Sequence, residues 1–436
     1  MDDMQTFERR VAGEVIHGMG PSEPVDDAAI FTTITATRSP KWRFQSMFSA
    51  TKFVVAGVIV ALFGGFLLVG GFATSPDDED MPAVGASATP QASVSIVGGD
   101  EYATLAEAVD AAVDGDTIEL GPGTHAGSVV IGKDIMLMGV GPVEEIIVAV
   151  EAGPVLTLDG AAASVSGITF TGPTSDGVRV AGGSVVLEDL VFRDVGEPFI
   201  APPCTKPCRS LDIDAGAQAI VRDNTFVGGG EIIVDGASVV EIEGNSLTGG
   251  PHIALFELGP GSVVRNNTIV DSSSRGIGLY APTDIFISGN TISNVPEYGI
   301  TVGWASGGAG IDPQIVANTI SASGNGIDVA RSANPILTRN VLFDNGVGIL
   351  VRGSDAMISG NDLSGNGQGI VVMGGSPTLQ ENAVMLGTSG LMLSSAATPE
   401  LIRNTICDND QNVTLTGDAQ LPEGGDNEVC QDTPAE

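Results

Sequence analysis

The sequence predicts an all-β solenoid, and three observations carry that prediction. An asparagine recurs through the second half of the chain at nearly constant spacing. Each recurrence stands beside a short apolar run of strand-forming residues. Glycine is abundant, at 60 of 436 residues, as a chain that turns many corners requires.

The recurring positions are Asn224, Asn245, Asn267, Asn290, Asn318, Asn340, Asn361, Asn382, Asn404 and, in a degenerate copy, Asn427. The steps are 21, 22, 23, 28, 22, 21, 21, 22 and 23 residues. Two earlier copies put Ile168 and Leu190 in the slot. A fixed period of this length is a solenoid signature. Within one coil, Ile327 and Val329 flank Asp328, so two side chains face inward and one faces outward. Asn334-Pro335 signals a turn. Ile336-Leu337-Thr338 makes a second strand, and Val341-Leu342 opens a third after Asn340. None of these strands is long enough to stand alone. Each is expected to pair in parallel with its equivalents one coil away, at about 4.8 Å. Glycine and asparagine are expected at the tight, left-handed corners.

From about Val94 to about Val429 this pattern resembles the right-handed parallel β-helix superfamily, the pectate-lyase-like group of carbohydrate-binding proteins and sugar hydrolases. The resemblance implies a single-stranded right-handed parallel β-helix. Residues 102–112 read as a short amphipathic helix, with Thr104 and Glu107 forming a capping box. In such proteins this helix plugs the first coil, and a turn like Gly121-Pro122-Gly123 starts the spiral. The repeat is specific for fold and weak for reaction, because lyases, hydrolases, epimerases and inert surface proteins share one solenoid.

The chain divides into a cytoplasmic tail (1–52), a transmembrane helix (53–73), a flexible linker (74–93), the β-helix (94–430) and a short C-terminal tail (431–436). Residues 53–73 form an uncharged run long enough to cross about 30 Å of hydrocarbon. A cleaved signal peptide would have a shorter apolar run close to the start. Arg38, Lys41, Arg43 and Lys52 precede the run, and Asp77, Asp78, Glu79 and Asp80 follow it. Positive charge stays inside, so the β-helix is expected outside the cell membrane. The tail shows weak helical periodicity and no motif. Residues 74–92, rich in Pro, Ser, Ala and acid, read as a stalk.

Formal net charge is −36. The segment to Lys52 is nearly balanced, so nearly all the excess sits on the part beyond residues 53–73, which argues against nucleic acid as a partner. It also disfavours a polyanionic sugar unless a cation such as Ca²⁺ bridges the two. All four cysteines are external, where disulfides persist. Cys407 and Cys430 each follow a ladder asparagine by three residues, so they stack in successive coils and are expected to be bonded. Cys204 and Cys208 would close a small loop inside an insertion. A metal reading of that pair lacks further ligands.

Two clusters on the outward side of the first strands are candidate sites. Arg179, Asp212, Asp214 and Asp235 lie on neighbouring coils, with Asp212 and Asp214 about 6.5–7 Å apart on one side. Carboxylates spaced by about 5–9.5 Å serve glycoside hydrolysis, and grouped carboxylates also hold Ca²⁺. The resemblance adds that pectate lyases combine such a cluster with an arginine. The second cluster is Tyr280, Tyr298, Trp304, Asp312, Asp328 and Arg331, around the longest step of the repeat. Aromatic platforms beside carboxylates suit sugar rings. The catalytic motifs of polygalacturonases and mannuronan epimerases are missing: Asp312-Pro313 is followed by Gln314 and Ile315. His125 and His252 have no partner at motif spacing. The outward column turns apolar at Leu350, Val371 and Met392, which favours a contact surface there. The sequence therefore points to a membrane-anchored surface protein that binds glycan or a surface partner. A β-helix lyase or hydrolase is the alternative, and a structural spacer is a third reading.

Overall fold

Three parallel sheets run the length of the solenoid, each built from one strand per coil. The structure is a computed structural model that describes residues 93–432, except 152, 173–175, 197–208, 215, 237, 281–283, 304–311 and 332. In the coil that begins at Asn325, the first strand is Asn325–Val329, the second Ile336–Thr338 and the third Val341–Phe343. Equivalent strands stack into sheets of 13, 15 and 14 strands respectively. Ile327, Val329, Leu337 and Leu342 are fully buried, so all three strands contribute to one apolar axis. On the third sheet Phe192 and Phe226 stack coil on coil, with centroids 4.4 Å apart.

The asparagine ladder is structural. The backbone N–H and Nδ2 of Asn340 both donate to Oδ1 of Asn361 at 2.9 Å. Nδ2 of Asn340 also donates to the Ile315 carbonyl at 2.9 Å. Its own Oδ1 accepts from the backbone N–H and Nδ2 of Asn318 at 3.0 Å. The pattern repeats from Asn224, whose Oδ1 accepts from Leu190 N–H, to Asn427. It satisfies polar groups that the corner between the second and third strands would otherwise bury unpaired.

A second ladder, which the sequence reading does not anticipate, runs at the next corner, five residues later. Asn345 donates through N and Nδ2 to Asn366 Oδ1 at 3.0 Å. One period on, Gly387 occupies the slot, and its N–H donates to Asn409 Oδ1 at 2.9 Å.

The left-handed corner residue differs from expectation. It is not the ladder asparagine but the residue before it, as at Asp223, Ala317, Arg339, Glu381 and Arg403, with φ between 50° and 56°. The asparagine must turn its amide inward to meet its neighbours, so the preceding residue takes the bend. Glycine is demanded instead where the first strand begins. A Cβ on Gly326 would lie 2.5 Å from Leu342 Cδ2, and one on Gly348 would lie 2.6 Å from Leu363 Cδ2.

At the N-terminal end the helix Leu105–Ala111 buries Leu105, Ala108 and Val109 against the first coil. Thr104 Oγ1 accepts from Glu107 N–H at 3.2 Å, and the Glu107 carboxylate accepts from Ala103 N–H at 3.2 Å. Lys133 Nζ donates to the carbonyls of Val109, Asp110 and Ala112 at 2.7–2.9 Å, capping the other end. Strand Val94–Ile96 pairs antiparallel with Glu101–Tyr102 and Thr117–Leu120 and completes the seal. At the C-terminal end Cys407 and Cys430 are bonded, with Cα atoms 4.9 Å apart, as their stacked slots predict. Cys204 and Cys208 lie outside the described residues. So does the apolar run 53–73, and no helix among the described residues is long and apolar enough to cross a membrane.

Replacing one ladder asparagine strands buried partners on both sides. Asn340→Ala leaves the buried Asn318 N–H without its acceptor and takes one donor from the Ile315 carbonyl. It should lower unfolding free energy by about 3 kcal/mol, read as a reduced denaturant midpoint. A midpoint equal to wild type would show that the ladder carries no stability.

Candidate functional site

The first sheet presents its outward side chains in register. Arg179 stands beside Asp212, and Asp212 beside Ile233. Ala254 and Gly278 come next, then Thr301, Asp328 and Leu350. Val371 and Met392 continue the column. Arg179, Asp212, Asp328, Leu350, Val371 and Met392 stand in this outward column as the sequence predicts. The exposure of the column differs from expectation. Asp212, Thr301, Asp328 and Val371 are 6%, 3%, 1% and 4% exposed. Arg209 pairs with Asp212 and Arg352 with Asp328, contacts that strand alternation does not encode.

The first predicted cluster is locked in ion pairs. Arg179 meets Asp214 at 2.6 Å, and Arg209 meets Asp212 at 2.5 Å. Asp176 joins by accepting from Arg209 N–H at 2.8 Å. Asp235 is exposed on the next coil. Burial pushes the Asp212 carboxyl above the usual carboxylate range, and Arg209 pulls it back. Asp212 and Asp214 do lie on one side, yet each already has an arginine.

The second predicted cluster separates into parts. Trp304 lies outside the described residues. Asp312 is exposed and Tyr298 is half-buried, in register with Arg275 and Asn325. The Asp328 partner is Arg352, not Arg331: the Arg352 guanidinium caps Asp328 Oδ2. Asp328 Oδ1 is buried with no hydrogen-bond partner. Arg331 sits at the corner beyond the strand, its stem against Gly353. Burial raises the Asp328 carboxyl to about 6, against the opposing pull of Arg352.

Between these clusters lies a shallow depression of about 260 Å³, lined by Glu231, Ala254, Phe256, Arg275 and Tyr280. Phe256 and Tyr280 stack with centroids 4.7 Å apart. The Tyr280 ring lies flat over Gly278, where a Cβ would come within 2.4 Å of its hydroxyl. Arg275 donates to that hydroxyl at 2.6 Å and reaches Glu297 at 3.4 Å. Burial shifts the Tyr280 hydroxyl upward, so it stays protonated. Glu231 is paired with His252 at 2.9 Å. Of these residues the sequence singles out Tyr280 alone as a ligand contact. Glu231 and His252 are 21 residues apart, one coil period, and that spacing is the signal that could have joined them. His125, by contrast, is buried and bonded to the Gly121 carbonyl at 2.9 Å.

Known proteins share the architecture that carries this face. Residues 155–313 match the family model described as right handed beta helix region. Residues 304–427 match the one described as periplasmic copper-binding protein (NosD). Among solved structures the chain is similar to a PL6 alginate lyase in complex with a trisaccharide, at TM-score 0.51 and 13% identity over 74% of this chain and 86% of that one. It is also similar to the A-module of the Azotobacter vinelandii mannuronan C-5 epimerase AlgE6, at TM-score 0.45 and 16% identity over 76% and 95%. No curated protein matches the sequence. The family matches and the lyase structure show the fold: the chain is a right-handed β-helix solenoid protein.

Asp328 makes a testable contribution to stability. Its folded value of about 6 lies above the ordinary carboxylate value of 3.8. The folded state therefore holds the proton more tightly. The associated stability is fully present below about pH 4 and is lost as pH rises through about 6, by about 3 kcal/mol. Asp328→Asn should flatten the pH dependence of the denaturation midpoint across this window relative to wild type. Parallel profiles for the two proteins would contradict the assignment.

Proposed function

We propose that this chain is an extracytoplasmic β-helix protein, anchored by residues 53–73, that binds glycan on the outward face of its first sheet without turning it over. The observation that carries this reading is the depression floored by Phe256 and Tyr280. Stacked rings offer an apolar platform to the C–H face of a sugar. Arg275, Glu231 and His252 at its edge offer donors and acceptors to hydroxyls. Arg352, partly exposed over the buried Asp328, extends the polar surface further along the sheet. Tyr298 and Arg331 stand as proposed contacts along the same sheet, and Trp304, outside the described residues, stays a proposed contact on the sequence reading alone.

Turnover is the second reading, favoured by one observation. A carboxylate holding an imidazole, as Glu231 holds His252, is an arrangement suited to a general base. Three features weigh against it. The raised Tyr280 hydroxyl is a poor proton acceptor. Asp212 and Asp214, the carboxylates with hydrolase-like spacing, are each neutralised by an arginine. Likeness to a lyase at 13% identity speaks for fold only.

The cell-surface placement draws on the charge asymmetry around residues 53–73 and on the Cys407–Cys430 disulfide. The match to a periplasmic family agrees with it. Copper is not part of the proposal. The one group of three metal-donor residues among the described residues is Cys407, Glu428 and Cys430, and its two sulfurs are spent on the disulfide.

Tyr280→Ala should weaken binding of the best glycan from an array by at least tenfold in calorimetry, equivalent to about 1.4 kcal/mol, with the circular dichroism spectrum unchanged. Affinity equal to wild type would remove this site. The anchor has its own test. The full chain should stay with membranes through alkaline carbonate extraction, and deletion of residues 53–73 should release it. Release of the intact chain would refute anchoring.

A further inference from the structure

We infer that the ligand of this face is a neutral glycan and not a polyuronate, in contrast to the alginate of the structurally similar lyase. The inference rests on the reading that the first sheet binds glycan, and it names the class of sugar.

A sugar carboxylate inside a binding face requires a cation free to pair with it. The arginines of this face are already engaged. Arg179 holds Asp214 and Arg209 holds Asp212. Arg275 is bonded to the Tyr280 hydroxyl and reaches Glu297. Arg352 caps Asp328. His252 is paired with Glu231. Recruiting Arg209 or Arg352 to a ligand would strand Asp212 or Asp328, which are 6% and 1% exposed. Removing one partner of a buried pair is strongly destabilising. Arg331 has no carboxylate partner among the described residues, but it stands outside the column at the next corner.

The depression also presents acceptors of its own, the Glu231 carboxylate and the Tyr280 oxygen, which take O–H and N–H donors. Hydroxyls and acetamides of an uncharged sugar supply these, whereas a uronate brings a second carboxylate beside Glu231. The charge of −36 adds repulsion of a polyanion within the screening length of about 8 Å at physiological salt.

The test is calorimetry on the full chain in detergent, wild type and Tyr280→Ala. The probes are cello-, xylo-, manno- and N-acetylated chito-hexaose against oligomannuronate and oligogalacturonate hexamers, each with EDTA and with Ca²⁺. At least one neutral hexamer should bind tenfold or more tighter than either uronate under both conditions, and lose that affinity in Tyr280→Ala. A uronate that binds as tightly as the best neutral hexamer, with or without Ca²⁺, and is lost in Tyr280→Ala would overturn the neutral class while leaving the site standing. Binding of every probe unchanged by Tyr280→Ala, or no binding at all, would overturn the glycan-binding face itself and this inference with it.

Discussion

One buried amide per coil passes register from each turn of this protein to the next. The ladder asparagine cannot be satisfied by its own coil. Its Oδ1 takes two hydrogens from the coil before, and its Nδ2 and N–H reach the coil after. A coil displaced by one residue would break these bonds and turn every apolar side chain outward. The constraint survives the longest step of the repeat. Across 28 residues Asn290 Nδ2 still meets Asn318 Oδ1 at 2.9 Å. The extra residues fall between Tyr298–Val302 and Gln314–Val316, and both strands keep their register with the neighbouring coils.

The face follows from that register. Because coils are aligned, residues a period apart become neighbours, and the chemistry of the surface is written in steps of about 21–28 residues. Glu231 with His252 and Asp328 with Arg352 are such neighbours on adjoining coils. Along the axis the face changes character in order. It passes from ion-paired carboxylates at Asp212 and Asp214, through the aromatic depression at Phe256 and Tyr280, to the buried Asp328 and then the apolar Leu350 and Val371. A gradient of this kind can hold a chain-like ligand at several points without any one point being deep.

Periodicity made the architecture legible in the sequence. The ladder, the in-register column and the Cys407–Cys430 bond follow from spacing, while the helix follows from its capping box and its place over the first coil from the family resemblance. What spacing could not reveal is what lies over an outward residue. Asp328 does point away from the core, but its burial depends on Arg352, whose long stem reaches across from the next coil. Arg209 leaves no periodic signal because its pairing with Asp212 is local, three residues apart, and falls beside the insertion. The second ladder is hidden by its gap at Gly387, where a backbone N–H replaces the missing amide. The corner geometry departs from expectation for a similar reason. Asparagine tolerates the left-handed region, yet here its side chain is needed inward, and Arg339 or Glu381 takes the bend despite the steric cost.

Hydroxyl-radical footprinting of the full chain, with and without the tightest-binding hexasaccharide, addresses the central claim most directly because it reads side-chain exposure residue by residue. The account predicts that oxidation of Phe256 and Tyr280 falls on saturation while Phe343 on the third sheet and Met357 on the second stay unchanged. Protection of Phe343 or Met357 with Phe256 and Tyr280 unaffected would contradict it.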